Sequence, residues 1–422
     1  MPGTAVGNGA DAAQAGRGTC AVCTRTAVEE FLDLGSTALA NRFLAREELT
    51  RPEPAYPLRV GFCRACGHVQ LTEIVPPAQM FDNYLYVSAA SDTLKTHLLD
   101  LGDLLVERHR LTSTDLVIDI GCNDGTLLSG CRRHGVRALG VDPAKNLAEL
   151  TRHLDIERYV GYFNSRTAEE IARRWGQAAV VTATNTFPHI QDLQDFVVAL
   201  DTVLAPGGVF VAEMHYLVDL LDQCAFDTIY HEHVSYWALR PMQALFERHG
   251  MTVVDAERLP LHHGQLRVSV KRKGDGAAGP RVTEVQRMEE ARGIDKFHTY
   301  EQFARETLRI KRELREQLDA LRAQGKRVVG YGAPAKANTL LSFLQIGPET
   351  VPYIVDRSAL KQGLFTPQTH IPVVPPKRLL QDQPDYVLLL AWNFVDEILL
   401  QQAEYVRRGG KFIIPLPQVK IV

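Results

Sequence analysis

Asp115-Leu116-Val117-Ile118-Asp119-Ile120-Gly121-Cys122-Asn123-Asp124-Gly125 is an apolar run that ends in a glycine-bounded turn. A short run with no regular polar alternation reads as a parallel strand covered on both faces, and the glycines let the chain turn sharply into a helix. Upstream, apolar residues recur at helical spacing over 91–110. Downstream the pattern alternates: helix 126–134, strand 137–141, helix 144–154, strand 158–160, helix 166–176 and strand 179–182. Alternation of this kind predicts a doubly wound α/β sheet that binds its ligand across the carboxyl ends of the strands. Asp142 closes the second strand, where a carboxylate would accept hydrogen bonds from ribose hydroxyls.

A glycine turn after a strand serves dinucleotides and S-adenosylmethionine alike. Here Asp119-x-Gly121-x-x-x-Gly125 resembles the turn of class I methyltransferases, with Asn123 in place of the middle glycine. Asn tolerates left-handed backbone better than most residues. Pro206-Gly207-Gly208, ahead of a buried strand, is similar to the turn before the fifth strand of those enzymes. The candidate cofactor contacts are therefore Asp119, Gly121, Asn123, Gly125, Asp142 and Asn185, the last just beyond the fourth strand. The bland alternative is an α/β domain whose glycines serve only helix–strand packing.

Composition narrows the function classes. The chain has 422 residues, 45% hydrophobic, with 47 basic against 50 acidic side chains and a formal charge of −3. That length predicts several domains with cores of their own. The weak charge argues against a nucleic-acid-binding surface, and no apolar run is long enough to span a membrane. Residues 1–18 are Gly/Ala-rich, do not resemble a secretory signal and read as a disordered tail, so a cytoplasmic location is expected. Thiols stay reduced there. Cys20/Cys23 and Cys63/Cys66 form two C-x-x-C pairs, the spacing of a closed, structural four-sulfur zinc site. Redox-active or simply buried cysteines are the alternatives. Cys122, Cys131 and Cys224 stand alone and read as packing residues.

The densest chemistry lies in Tyr230-His231-Glu232-His233. His233 suits general-base work, since an unperturbed imidazole titrates near pH ~6.5, with Tyr230 as donor and Glu232 as an orienting group. On a strand, His231 and His233 would share a face and could ligate a metal, but no third ligand is evident. A solvated or core-bonded cluster is the other alternative. His189, past the fourth strand, could converge on the same pocket, or serve only structure. Tyr84 and Tyr86 could lid the site or pack at a domain boundary.

Beyond strands near 251–258 and 265–271 and a Gly/Ala-rich link at 274–280, a long amphipathic helix is expected over about 300–324, carrying Phe303, Leu308, Leu314, Leu318 and Leu321. A second Rossmann-like unit follows: strand 327–330, the turn Tyr331-Gly332-Ala333-Pro334-Ala335-Lys336, a helix at 337–344, strand 351–355 ending at Asp356, and strands at 386–391 and 411–414. The turn and Asp356 would also suit NAD, which keeps an NAD-dependent nucleotide-sugar oxidoreductase as the alternative. Lys336, on a first helical turn, would suit a pyrophosphate.

The two C-x-x-C pairs, the Gly121–Gly125 turn, Tyr230-His231-Glu232-His233 and Gly330-Tyr331-Gly332-Ala333-x-Ala335-Lys336 occur in one order. In this the chain resembles deoxysugar C-methyltransferases of antibiotic biosynthesis, from Cys20 to the C-terminus. The resemblance implies four segments: a tail (1–18), a zinc-ribbon-like module (19–80), a class I methyltransferase core with a Rossmann-like sheet (81–275) and a C-terminal Rossmann-like sugar-nucleotide domain (276–422). It implies methyl transfer from S-adenosylmethionine to C3 of a dTDP-4-keto-6-deoxysugar, with zinc structural and a monomer sufficient. His233 is then the base, Tyr230 and His189 stabilise the enolate or relay the proton, Glu232 orients His233 or the sugar, and Tyr84 closes over the centre. Tyr331, Gly332, Ala333 and Lys336 would contact the substrate. An interaction protein with decayed nucleotide folds is the non-enzymatic rival.

Overall fold

The computed structural model describes the chain except residues 1–17, 82–86, 89–91, 151–153, 155 and 262–263. The expected tail, apart from Gly18, and both Tyr84 and Tyr86 lie outside the described residues. Three sheets order the rest. A four-stranded antiparallel sheet holds Val28–Thr37, Tyr56–Cys63, Val69–Leu71 and Ser235–Tyr236, in that order. The last strand comes from far along the chain. By sequence it belonged to the methyltransferase core, yet it completes the sheet of the cysteine module.

The central sheet has seven strands. Counted along the chain they are Leu116–Ile120, Arg137–Asp142, Glu157–Val160, Ala178–Thr184, Leu204–His215, Met251–Leu259 and Gln265–Arg272. In space they run third, second, first, fourth, fifth, seventh, sixth. The first five are parallel and the seventh is antiparallel to both neighbours. Strand order reverses between the first and fourth strands, the place where open α/β sheets bind ligands. All five residues of Leu116–Ile120 are buried, as an unalternating apolar run requires.

The third sheet runs Val373–Val374, Ile354–Val355, Val328–Tyr331, Tyr386–Leu389, Lys411–Ile414 and Lys420–Ile421, parallel except for the last. Ahead of it stands the helix Phe297–Ala323. Its buried stripe runs through Phe303, Ile310, Leu314, Leu318 and Leu321, whereas Leu308 is 45% exposed. Spacings of three and four from Phe303 lead to Thr307 and Ile310, which leaves position 308 off the stripe. Among the described residues no helix is long and apolar enough to cross a membrane.

One close approach sets the position of the glycine turn. The helix Thr126–Arg132, which opens directly from Gly125, crosses the helix Asp92–His109 with backbone against backbone. A Cβ on Gly102 would lie 2.6 Å from the Leu127 carbonyl and 2.8 Å from the Gly130 Cα, and one on Gly130 would lie 2.6 Å from the Leu99 carbonyl. No side chain fits between them. Gly102→Ala should therefore push the helices apart at a cost of about 1–3 kcal/mol. It is expected to lower the melting temperature and weaken S-adenosylhomocysteine binding together, as thermal melts and calorimetric titration would show; unchanged affinity would uncouple this crossing from the turn.

Candidate active site

The two cysteine pairs close on each other. Cys20 and Cys66 sulfurs are 3.6 Å apart, as are those of Cys23 and Cys63, and all four fall within 4.8 Å of one another. These separations exclude disulfides, whose sulfurs sit ~2.05 Å apart. They match the edges of a sulfur tetrahedron around zinc, about 3.8 Å for Zn–S bonds of ~2.3 Å. Each knuckle is shaped alike: Thr24 N donates to the Cys20 carbonyl and Gly67 N to that of Cys63, and both donors adopt positive φ. The donor set thus fits structural zinc, with four sulfurs and no open position.

At the carboxyl edge of the central sheet the glycine turn is held from beneath. Asn123 has φ +48° and Gly121 +70°. A Cβ on Gly121 would lie 2.1 Å from the Thr186 hydroxyl, so the turn packs directly on the segment after the fourth strand. Asp142 accepts from Asn123 N at 2.9 Å with one oxygen and from Ala144 N at 2.9 Å with the other. Each oxygen keeps a lone pair for a ligand hydroxyl. Asp119 is buried, accepts from the Thr182 hydroxyl at 2.6 Å and is pushed up to about 7 by burial. Asn185, at φ +56°, accepts from Gln265 at 3.0 Å. The edge therefore places Asp119, the turn, Asp142 and Asn185 at the topological switch.

Tyr230–His233 is a turn, closed by His233 N donating to the Tyr230 carbonyl at 2.9 Å. Its histidines consequently do not share a face. His231 points to the cysteine module, where its Nε2 lies 3.2 Å from the Tyr56 and Pro57 carbonyls. His233 turns toward the central sheet, with its ring 5.1 Å from that of His189 and perpendicular to it. Among the described residues the only cluster with metal-ligand geometry is the four cysteines.

Hydrogen bonding assigns the His233 tautomer. Nδ1 lies 2.9 Å from the Thr228 carbonyl, which can only accept, so Nδ1 carries the proton. Nε2 then offers a lone pair, and the Tyr230 hydroxyl, 2.9 Å away, donates to it. The group orienting His233 is thus a backbone carbonyl. Glu232, expected in that role, accepts instead two hydrogen bonds from Asn41 Nδ2, at 2.8 and 3.0 Å. Burial, with His189 adding to it, pushes His233 down to about 3, and burial with His215 pushes His189 down to about 4. The Nδ1 of His189 is buried and meets no hydrogen-bond partner among the described residues.

Two clefts meet beside this pair. One is lined by Pro188, His215, Thr228 and His233; the other by His215, Thr228, Lys336, Trp392 and Asn393. Lys336 places its ammonium 4.0 Å from the centre of the Trp392 ring, whose Nε1 donates to buried Asp227 at 2.6 Å. Burial lowers Lys336 to about 8, while Asp227 acts the other way. Gly332 has φ +86°, and Ala333 N donates to Asp356 at 2.5 Å. Tyr331 is buried beneath the turn, accepting from Gln402 at 3.1 Å. Sequence reasoning missed Asn41, Asp227 and Trp392, which announce themselves only through contacts across the fold. It also missed His215, although that residue ends the strand following Pro206-Gly207-Gly208.

Known proteins match nearly all of the chain beyond its first residues. Residues 20–81 match a zinc binding domain family, 86–256 a methyltransferase domain family and 260–417 a C-methyltransferase C-terminal domain family. The C-methyltransferase NovU of Streptomyces niveus is 37% identical over 404 residues, covering 96% of either chain. The chain belongs to this C-methyltransferase family. A ubiquinone biosynthesis O-methyltransferase of Rhizobium etli is 30% identical over 101 residues, 24% of this chain and 41% of its own length. A solved S-adenosylmethionine-dependent methyltransferase from Clostridium acetobutylicum, 13% identical, covers 43% of this chain and 92% of its own at a TM-score of 0.35. The protein is accordingly an S-adenosylmethionine-dependent methyltransferase with a class I Rossmann-like core and a zinc-binding N-terminal module. The oxidoreductase alternative finds no support in these likenesses.

The knuckle at Cys63–Cys66 leads directly into Val69–Leu71, and that strand grips the far side of the histidine loop. Cys23→Ser should remove the zinc and slow methyl transfer by on the order of 100-fold through misplacement of the loop, while S-adenosylhomocysteine still binds the core. Metal analysis, turnover and calorimetry together check this; full turnover by zinc-free protein would dissociate knuckle from loop.

Proposed function

We propose that the protein methylates C3 of a dTDP-4-keto-6-deoxysugar through an enolate. One arrangement carries the reading: His233, hydrogen-bonded to Tyr230, lines a cleft that shares His215 and Thr228 with a second cleft reaching Lys336 and Trp392. A sugar nucleotide has the matching bipolar form, with a diphosphate for the ammonium of Lys336 and a reactive carbon for the imidazole. S-adenosylmethionine supplies an electrophilic methyl group on a sulfonium.

The chain's own residues prepare the acceptor carbon. The hydrogen on C3 is acidified by the neighbouring C4 ketone. Tyr230 receives that proton as it passes its own to Nε2 of His233, and the Thr228 carbonyl steadies the resulting imidazolium through Nδ1. The weak basicity of His233 is no obstacle, because the negative charge appearing on the enolate raises the proton affinity of a buried neighbour. His189 packs against the edge of His233 and keeps water from the pair. Asp119, Asn123 and Asp142 hold the nucleoside end of the cofactor, with Gly121 and Gly125 giving the turn its path and Asn185 flanking it. The turn Tyr331–Ala333 and Lys336 take the diphosphate end of the acceptor. Glu232, fixed by Asn41, lines the sugar side. One chain supplies every part, so a monomer suffices. Zinc takes no part in the chemistry, since four sulfurs leave no position for substrate.

Purified protein given S-adenosylmethionine and a panel of dTDP-4-keto-6-deoxysugars should yield a product heavier by one methyl group, located on C3 by NMR. Transfer to oxygen would refute the enolate. The pH profile gives a separate check. An acceptor imidazole must be neutral, and protonation removes activity as pH falls through its pKa. Because His233 and His189 lie at about 3 and about 4, kcat/KM should stay level from pH ~7 down to ~5, without the inflection an ordinary histidine shows near ~6.5, and fall above that as Lys336, at about 8, loses its proton.

A further inference from the structure

We infer that Gln265 is a further cofactor-binding residue, whose side-chain oxygen accepts a hydrogen bond from the ammonium of the methionine part of S-adenosylmethionine. The inference needs only the cofactor and stands apart from the reading of the acceptor. Gln265 opens the strand Gln265–Arg272 and pairs in register with His215, so it lies at the carboxyl edge of the central sheet. It is wholly buried. Its Nε2 donates to Asn185 Oδ1 at 3.0 Å, whereas Oε1, equally buried, meets no hydrogen-bond partner among the described residues. An amide oxygen enclosed without a donor costs stability that an apolar side chain there would not, which marks it as a place kept for a ligand.

Hydrogen bonds and strand order put that oxygen at the fitting end of the edge. Gly121 packs on Thr186, Asn185 precedes Thr186, and Gln265 is bonded to Asn185, so these groups follow one another from the glycine turn toward the outer strands. Asn185 lies just past the fourth strand, two strands along from that of Asp142, or about 10 Å at ordinary strand spacing. That separation is comparable with the chain of atoms from a ribose through sulfur to an amino acid. A nucleoside held at Asp142 would thus bring its sulfonium over the first and fourth strands, beside the segment that carries His189, and its amino-acid head to Gln265.

The group met there must be a donor, because an amide oxygen only accepts. Neighbouring side-chain acceptors are already served. Both Glu213 oxygens are taken, one by Arg267 and the other by His97 at 2.7 Å. Asn123 Oδ1 accepts from the backbone amides of Ser88 and Asp124, at 3.0 Å each. Asn185 Oδ1 is the atom that Gln265 itself occupies. The ribose hydroxyls, the cofactor's other donors on this side of the adenine, belong with Asp142 at the opposite end, which leaves the ammonium for Gln265 Oε1.

Calorimetric titration separates the parts of the cofactor. Gln265→Met keeps the length of the side chain and removes the oxygen. It should weaken S-adenosylhomocysteine by ~10–100-fold, as expected for a hydrogen bond to a charged group, and leave methylthioadenosine, which has no amino-acid head, nearly unchanged. Decarboxylated S-adenosylhomocysteine keeps the ammonium and should suffer the same loss. In turnover, KM for S-adenosylmethionine should rise by a similar factor. A cooperative thermal melt shows that the variant is folded, and Gln265→Leu replaces it if it is not. Equal loss for methylthioadenosine would make Gln265 a support of the Asn185 segment alone. Unaltered S-adenosylhomocysteine binding would give the oxygen to a water, and a loss absent from the decarboxylated ligand would give the side chain to the carboxylate. Each of these three results overturns the inference.

Discussion

The pairing of Val69 and Gln70 with Tyr236 and Ser235 is the contact on which the site depends. On one side, two residues before that strand, the chain leaves a zinc knuckle. On the other, two residues before Ser235, stands His233. Leu71 N donates to the Val234 carbonyl at 3.0 Å, and Val234 N donates to the Pro188 carbonyl at 2.9 Å. A single residue, Val234, therefore joins the cysteine module to the segment carrying His189. Asn41 on Glu232 and the Tyr56 and Pro57 carbonyls on His231 tie the same loop to the same module. Loops are ordinarily the least ordered parts of an α/β enzyme. Here the folding free energy that zinc would supply to a small module also holds the Tyr230–His233 loop in place.

Immobilisation explains why the imidazoles are so poorly basic. His189 and His233 are stripped of water and face each other, so a proton on either meets both desolvation and a like neighbour. Two such groups titrate as a pair rather than singly. They therefore remain uncharged across neutral pH, which leaves Lys336 as the cation nearest the junction of the clefts.

Much of this was legible in the sequence where local pattern and tertiary environment agree. The run at Leu116–Ile120, the turn at Gly121–Gly125 and the two C-x-x-C pairs specify their own geometry: Asn123 occupies the left-handed region anticipated for it, and four sulfurs close into one cluster. What could not be read was partnership across distance. Alternation suggested a strand for His231 and His233, but those residues form a turn because their hydrogen bonds go to Tyr56, Pro57 and Thr228 rather than to a neighbouring strand. Glu232 sits one residue from His233 and serves Asn41, nearly two hundred positions away. Leu308 looked like part of a core stripe because leucine is apolar, yet helical geometry gave the place to Ile310.

The two glycine turns show why the sequence alone left two cofactors in play. In the core, Asp142 accepts from Asn123 N in the turn and from Ala144 N two residues on. In the C-terminal unit, Asp356 accepts from Ala333 N in the turn and from Ser358 N two residues on. The acid after the second strand has the same first duty in both: its oxygens fix the turn's backbone and its own exit. That duty needs an Asp and a glycine turn whatever nucleotide is bound, so the pair cannot identify the ligand. Discrimination lies in what surrounds the turn. Around Asp142 stand Asp119, Asn185 and a packed polar edge; around Asp356 the turn instead leads to Lys336, whose ammonium is confined between the Trp392 ring and the field of Asp227. A cation held in that way selects an anionic group, whereas an acidic edge selects hydroxyls and a cationic sulfur. The same fold used twice thus presents opposite charges at its two glycine turns.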